Sequence, residues 1–241
     1  MSKNIIILQH IPIETPGYIL DLMIEDKMNI TTIELDEGDK IPEDLSSFDA
    51  MFCMGGPMDT WMEDAYPWLK DEKIKIKDFV VNLKKPYLGF CLGCQLLGEV
   101  VGGSVEKSNP PEIGILEVKM DNNYLTDSLF LDFNSSIKAL QWHSYEVKNL
   151  ENNSDITLLA SSPTTKYQIF KYKNHAYGIQ FHIEIKKDTV SQWGCVPEYE
   201  KALSDTLGEG ALGKFDSEAK SCMSGMNLNA ESLYKNFKTI I

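Results

Sequence analysis

Pro86-Tyr87-Leu88-Gly89-Phe90-Cys91-Leu92-Gly93-Cys94-Gln95 is the stretch that decides the fold. Its first half, Pro86 to Phe90, is short and apolar, as a buried strand is. A helix continues from Gln95 to Val101 and stops at Gly102-Gly103. A cysteine placed where a buried strand turns sharply into a helix has the geometry of a nucleophile elbow. There the thiol of Cys91 projects from the carboxyl edge of a sheet, flanking small residues permit the tight backbone, and the helix N-terminus favours thiolate. The N–H of Leu92 points toward the same pocket and can stabilise an oxyanion.

Working outward, Asn4 to Gln9 is a β-branched run, Gly17 to Lys27 has helical spacing at Ile19, Leu20, Met23 and Ile24, and Ile30 to Leu35 is extended. Ala50 to Met54 reads as a buried strand ending in Gly55-Gly56-Pro57, with a helix from about Trp68 to Leu83. This β-α alternation predicts a parallel sheet covered by helices. In the second half Ile113 to Met120, Ile137 to Val147, Ile156 to Ala160, Tyr167 to Tyr172 and Ala176 to Ile183 all read as extended, and are expected as antiparallel additions. Helix returns in places from Glu198, with Ser217 to Met226 expected as a loop and Ala230 to Phe237 as a closing amphipathic helix. The expected architecture is an α/β, flavodoxin-like three-layer sandwich, mostly parallel with an antiparallel extension. One domain is expected over 1–241, with a core at about 4–197 and a C-terminal helical extension at about 198–241.

Composition narrows the function. The formal charge of −13 comes from 36 acidic against 23 basic residues, and all of the basic ones are lysine. Nucleic-acid binding needs basic side chains to displace counterions, so an acidic chain without arginine argues against a nucleic-acid partner, and equally against an anionic membrane. The five cysteines, Cys53, Cys91, Cys94, Cys195 and Cys222, are an odd set in a mid-sized chain. A secreted disulfide framework is therefore not expected, and a reducing, cytoplasmic location is. No apolar run approaches the length of a membrane span.

A thiolate needs a base, and His10, His143, His175 and His182 are the four available. His182 closes the apolar run Ala176-Tyr177-Gly178-Ile179-Gln180-Phe181, with Glu184 two residues on. Period-2 geometry places the two side chains on one face, where a carboxylate can fix the imidazole tautomer and stabilise its protonated form. A lone histidine at a strand end is otherwise a structural residue.

Taken together, the motifs resemble class I glutamine amidotransferases, and are most similar to the stand-alone type related to the amidotransferase domain of GMP synthase. The resemblance covers most of residues 4–185. It rests on Gln9-His10 with Pro16-Gly17, Gly55-Gly56-Pro57-Met58 with Tyr66-Pro67-Trp68-Leu69, Gly89 to Gln95, Pro111-Glu112-Ile113-Gly114, Trp142-His143, and Gly178 to Glu184. It implies a Cys91–His182–Glu184 triad in which Cys91 is acylated by the γ-carbonyl of L-glutamine or another γ-glutamyl compound, ammonia leaves, and water hydrolyses the thioester. It further implies an oxyanion hole from the backbone N–H groups of Gly56 and Leu92. Substrate contacts are expected at Gly55, Met58, Gln95, Trp142, His143, Ser144 and Tyr145. Thiolate, imidazole and two N–H groups suffice for this chemistry, so neither a metal nor an organic cofactor is expected. The sequence encodes no synthetase domain, so the ammonia is expected to pass to a separate synthetase subunit.

Two positions depart from the family pattern: Ile183 replaces a proline between histidine and glutamate, and Ser144-Tyr145 replace glycine and aspartate. The second change removes an acidic partner for the substrate ammonium, which keeps open a γ-glutamyl peptide or γ-glutamyl-amine hydrolase. Two readings of other classes are a thiol–disulfide oxidoreductase using Cys91 and Cys94, and a non-catalytic regulatory subunit with Tyr145 blocking the pocket. A zinc site from the same cysteines lacks a second ligand pair. Trp61, Trp68, Trp142 and Trp193 are expected as core or pocket-wall packing, and Lys70, Lys73, Lys75 and Lys77 as the solvated side of a helix, where a synthetase could dock.

Overall fold

The computed structural model describes residues 2–241. Nine strands form one sheet in the order β2-β1-β3-β4-β9-β8-β7-β5-β6. Its first five, β2 (Asn29–Glu34), β1 (Asn4–Gln9), β3 (Ala50–Cys53), β4 (Tyr87–Phe90) and β9 (Ala176–Ile179), run parallel. By position they give the flavodoxin-like order 2-1-3-4-5, with β9 as the fifth strand. The other four, β8 (Ile169–Tyr172), β7 (Ile156–Ser161), β5 (Ser104–Met120) and β6 (Ser136–Lys148), are antiparallel. The expectation that all late strands are antiparallel is thus corrected for β9, which pairs in parallel with β4 from Tyr87↔Ala176 to Phe90↔Ile179.

The central strands read as unbroken apolar runs because both faces are covered. Ile5 and Ile7 enter one core with Phe52, Leu88 and Phe90, beneath α1 (Gly17–Glu25) and α6 (Leu212–Phe237). Ile6 and Leu8 enter the other with Met51, Cys53 and Tyr87, beneath α2 (Trp68–Lys77) and α3 (Leu92–Val100). Two short helices, α4 (Thr189–Trp193) and α5 (Pro197–Leu207), lead into α6.

Four sequence expectations change. Residues 217–226 are not a loop but the middle of the 26-residue α6. Ser221, Ser224 and Gly225 are poor helix formers. The buried stripe Phe215, Ala219, Met226, Ala230, Leu233 and Phe237 outweighs them, as tertiary burial usually does over propensity. β5 begins at Ser104 rather than near Ile113, a register shift between Lys107 and Glu112 accommodating Pro110-Pro111 within the ladder. β9 stops at Ile179, so His182 and Glu184 are not on a strand. Finally, the lysine face of α2 is not uniformly solvated: Lys75 is buried with Nζ 2.6 Å from Glu43 Oε2, and Lys73 bridges Glu63 and Glu99 at 3.0 and 2.8 Å.

Candidate active site

Four neighbouring parallel strands end at one edge, and the chain just beyond each end supplies a functional side chain or peptide: His10 after β1, Gly55-Gly56 after β3, Cys91 after β4 and His182 after β9. Such a carboxyl edge is where open α/β sheets bind ligands.

Cys91 has φ 49° and ψ −103°, a sparsely populated conformation that costs about 1–3 kcal/mol. Its surroundings hold it there. The Cys91 N–H donates to Ile179 C=O at 2.9 Å, the Gly93 N–H to Met54 C=O at 3.1 Å, and the Tyr87 hydroxyl to Gly93 C=O at 2.8 Å. Glycine is required at 93, because a Cβ there would lie 2.1 Å from Cys53 O. The thiol is 7% exposed, with Gln180 Nε2 3.8 Å from Sγ.

His182 Nδ1 lies 2.6 Å from Glu184 Oε1, and Cys91 is near enough to the imidazole to favour its charged form. Period-2 strand geometry is not what pairs them. His182 instead forms an isolated bridge with Leu140 of β6, N–H to C=O at 2.9 Å and the reverse at 3.0 Å. Glu184 is tied by its Oε2 accepting from the Ile183 N–H at 2.9 Å, and by its carbonyl accepting from the Tyr18 N–H at 2.7 Å. Gly17 makes that second contact possible, since a Cβ at 17 would meet Glu184 O at 2.1 Å. Burial opposes a charged His182 ring. The Glu184 carboxylate and Cys91 outweigh it and hold the pKa well above the ordinary histidine value.

Glu14 and Tyr199 complete the centre, and neither carries a signal in the sequence. Glu14 is 1% exposed and accepts from the Tyr199 hydroxyl at 2.5 Å. Its Oε2 and His182 Cε1 crowd the same side of Gly55, 2.6 and 3.3 Å from where a Cβ would stand. Burial pushes the Glu14 carboxyl upward, with the nearby His182 acting against that. Trp193 covers the imidazole edge-on at 4.6 Å. A cleft of about 250 Å³, bordered by Pro12, Thr15, Lys186, Gln192 and Trp193, reaches Glu184.

The remaining expected substrate residues divide. Met58 is buried beside Gly56, and Gln95 Nε2 donates to Tyr145 C=O at 3.0 Å and to Gln180 Oε1 at 3.3 Å. Trp142 is engaged within the protein, its indole N–H donating to Tyr199 C=O at 3.1 Å among Trp193, Tyr199 and Phe215. His143 is likewise engaged, with Nε2 3.2 Å from Glu112 Oε2 and Nδ1 2.9 Å from Tyr145 O. Ser144 and Tyr145 are half-buried, and the Tyr145 ring meets the exposed Trp61 at 4.7 Å. Cys94 is fully buried, and burial drives its thiol well above the usual value, which makes it a poor redox partner for Cys91.

The family model for glutamine amidotransferase class I matches residues 18–192. The chain is 36% identical over 149 residues to one subunit of the glutamine-hydrolysing GMP synthase of Sulfolobus acidocaldarius, covering 61% of this chain and 73% of that one. It is 27% identical over 202 residues to a glutamine amidotransferase-like protein of Salmonella typhimurium, covering 83% and 82%. A crystal structure of a glutamine amidotransferase from Thermotoga maritima superposes with a TM-score of 0.85 over 98% of both chains, at 24% identity. The chain therefore belongs to the class I glutamine amidotransferase family, whose general chemistry is amide hydrolysis with ammonia transfer. His10, Glu14 and Tyr199 lie outside the span that the family model matches.

Proposed function

We propose that the protein hydrolyses the side-chain amide of L-glutamine through a γ-glutamyl thioester on Cys91 and delivers the ammonia to a separate synthetase subunit. The observation that carries this reading is the strained Cys91 at the strand-to-helix elbow, beside an imidazole that Glu184 holds at 2.6 Å. In the acylation step Cys91 Sγ bonds to the γ-carbon, and the carbonyl oxygen takes up negative charge against the N–H groups of Gly56 and Leu92. Among the described residues neither N–H has a protein acceptor, which leaves both free for this use. His182 passes its proton to the leaving nitrogen, the C–N bond breaks, and ammonia departs. His182 then takes a proton from water, hydroxide adds to the thioester, and glutamate and the thiol are released.

A γ-glutamyl-amine substrate is the second reading, supported by Glu14. The Glu14 carboxyl and the Cε1 edge of the imidazole crowd the same side of Gly55. A buried acid beside the imidazole suits ammonia or a cationic amine better than an amino-acid leaving group that carries a carboxylate of its own. The test is glutamate release from L-glutamine and from γ-glutamyl amines by the purified protein beside Cys91→Ala. Loss of turnover by roughly 10⁴-fold or more in the variant is expected, and turnover that survives it removes Cys91 from the mechanism.

A further inference from the structure

The oxyanion peptide has an unusual weakness. The carbonyl of Gly55 and the N–H of Gly56 belong to one trans peptide, so they point in opposite directions and turn together. Glycine on both sides gives this peptide little intrinsic preference for either orientation. Bulk cannot be added to stiffen it: a Cβ on Gly55 would lie 2.6 Å from Glu14 Oε2, and one on Gly56 3.0 Å from His10 Cβ and 3.1 Å from Leu92 Cδ2. The orientation must be held from outside.

His10 is the group in place to do it. Its Nδ1 lies 2.8 Å from Gly55 O, and its Nε2 lies 2.9 Å from Glu72 Oε1. Trp68 stacks on the ring at 5.5 Å, and Cys53 Sγ donates to the same Glu72 oxygen at 3.4 Å. His10 and Glu72 are both fully buried. A buried acid–histidine–cysteine cluster could suggest a metal site, but both ring nitrogens of His10, Cys53 Sγ and Glu72 Oε1 are already hydrogen-bonded within the protein, and Glu72 Oε2 alone of these atoms lacks a partner. Both ring nitrogens thus face an acceptor, a carbonyl oxygen on one side and a carboxylate oxygen on the other; burial opposes a charged ring, and Glu72 outweighs it, so the His10 pKa is raised.

We infer that His10, anchored by Glu72, is a positioning residue that clamps the Gly55 carbonyl and thereby turns the Gly56 N–H away from itself, toward the acyl centre at Cys91. This deepens the reading proposed above and rests on it. Without the clamp the two-glycine peptide can turn over and present an oxygen where the oxyanion needs a donor, which raises the barrier to acyl transfer without weakening ground-state binding.

The experiment compares two reactions of Cys91. Amide hydrolysis passes through an oxyanion, whereas alkylation by iodoacetamide displaces iodide and does not. His10→Ala is expected to lower kcat for glutamate release roughly 10²-fold with KM within ~3-fold, while the alkylation rate stays within ~3-fold. His10→Asn, whose amide N–H₂ can reach where Nδ1 stood, is expected to recover most of that loss. Because His10→Ala also strips Glu72 of its partner, His10→Leu/Glu72→Met is measured alongside; it removes both polar groups together and is expected to lose hydrolysis while keeping alkylation. Hydrolysis undiminished in His10→Ala or in the double variant overturns the inference, as does a parallel fall in hydrolysis and alkylation. A wild-type protein that is alkylated at Cys91 yet hydrolyses no γ-glutamyl amide instead overturns the underlying reading, and the inference falls with it.

Discussion

The parallel and antiparallel halves of the sheet meet at one site and contribute differently to it. In the parallel half, β1, β3, β4 and β9 end side by side, and each delivers its residue from the next few positions of the chain. The antiparallel half and the C-terminal helices deliver theirs across the molecule: Leu140 bridges His182, Trp142 packs on Trp193 and Tyr199, and Tyr199 reaches Glu14 across 185 positions of sequence. The groups proposed to react thus come from local strand-end geometry, while the side chains packed around them come from long-range packing. This difference predicts that damage to the first set removes chemistry, and damage to the second changes substrate preference or stability.

The largest effect is expected from the triad. Glu184→Gln keeps the shape but loses the charge that fixes and stabilises the imidazolium, and kcat for glutamate release should fall about 10²–10⁴-fold with the fold intact by circular dichroism. A fall of less than threefold would detach Glu184 from catalysis and break the comparison at its strongest point. Tyr199→Phe probes the walls. Losing the donor to a buried carboxyl costs about 1–2 kcal/mol, or roughly 10-fold in kcat/KM, and should shift the ratio of activity on L-glutamine to activity on γ-glutamyl amines. An unchanged ratio and rate would reduce α5 to a cover.

The smallest catalytic effect is expected at Glu112, deep in the antiparallel half. Burial alone would push its carboxyl up, but His143 beside it and the hydroxyls of Ser162 and Thr164 outweigh burial and bring it down to about 2. A carboxyl whose folded value is depressed contributes stability above its unfolded value, and that contribution is lost as pH falls from about 4.5 toward about 2. Glu112→Gln should therefore lower Tm at pH 7 by ~4–8 °C, for about 2 kcal/mol, with kcat within threefold. The gap to wild type should close on acidification through that window. A large loss of kcat at unchanged Tm would instead make this half part of the chemistry.

Much of the site was legible because its residues follow strand ends. Cys91 between Phe90 and Leu92, and Gly55-Gly56 after Ala50 to Met54, are local patterns that fix strand, turn and helix without reference to distant chain. The His182–Glu184 pairing was also legible, though for the wrong reason. The sequence suggests a strand through both residues, whereas β9 ends at Ile179 and the pair is held by Leu140 on one side and by Tyr18, at the start of α1, on the other. Glu14 and Tyr199 left no trace, because a buried acid becomes informative only when what surrounds it is known.

The sequence by itself determined the first four parallel strands, the elbow at Cys91 and the family, since apolar runs, small residues and short motifs act within a few residues of one another; the parallel pairing of β9 it did not. Three further features were decided only by the tertiary structure. Residues 217–226 are helical because Phe215, Ala219 and Met226 find a core to bury in. His10 faces the Gly55 carbonyl because Glu72 and Trp68 fix its ring. The imidazole lies beneath Trp193 and beside Glu14 because α4 and α5 fold back over the sheet edge. Each depends on side chains brought together by burial of distant segments, and that free energy belongs to the assembled core, not to any local stretch of chain.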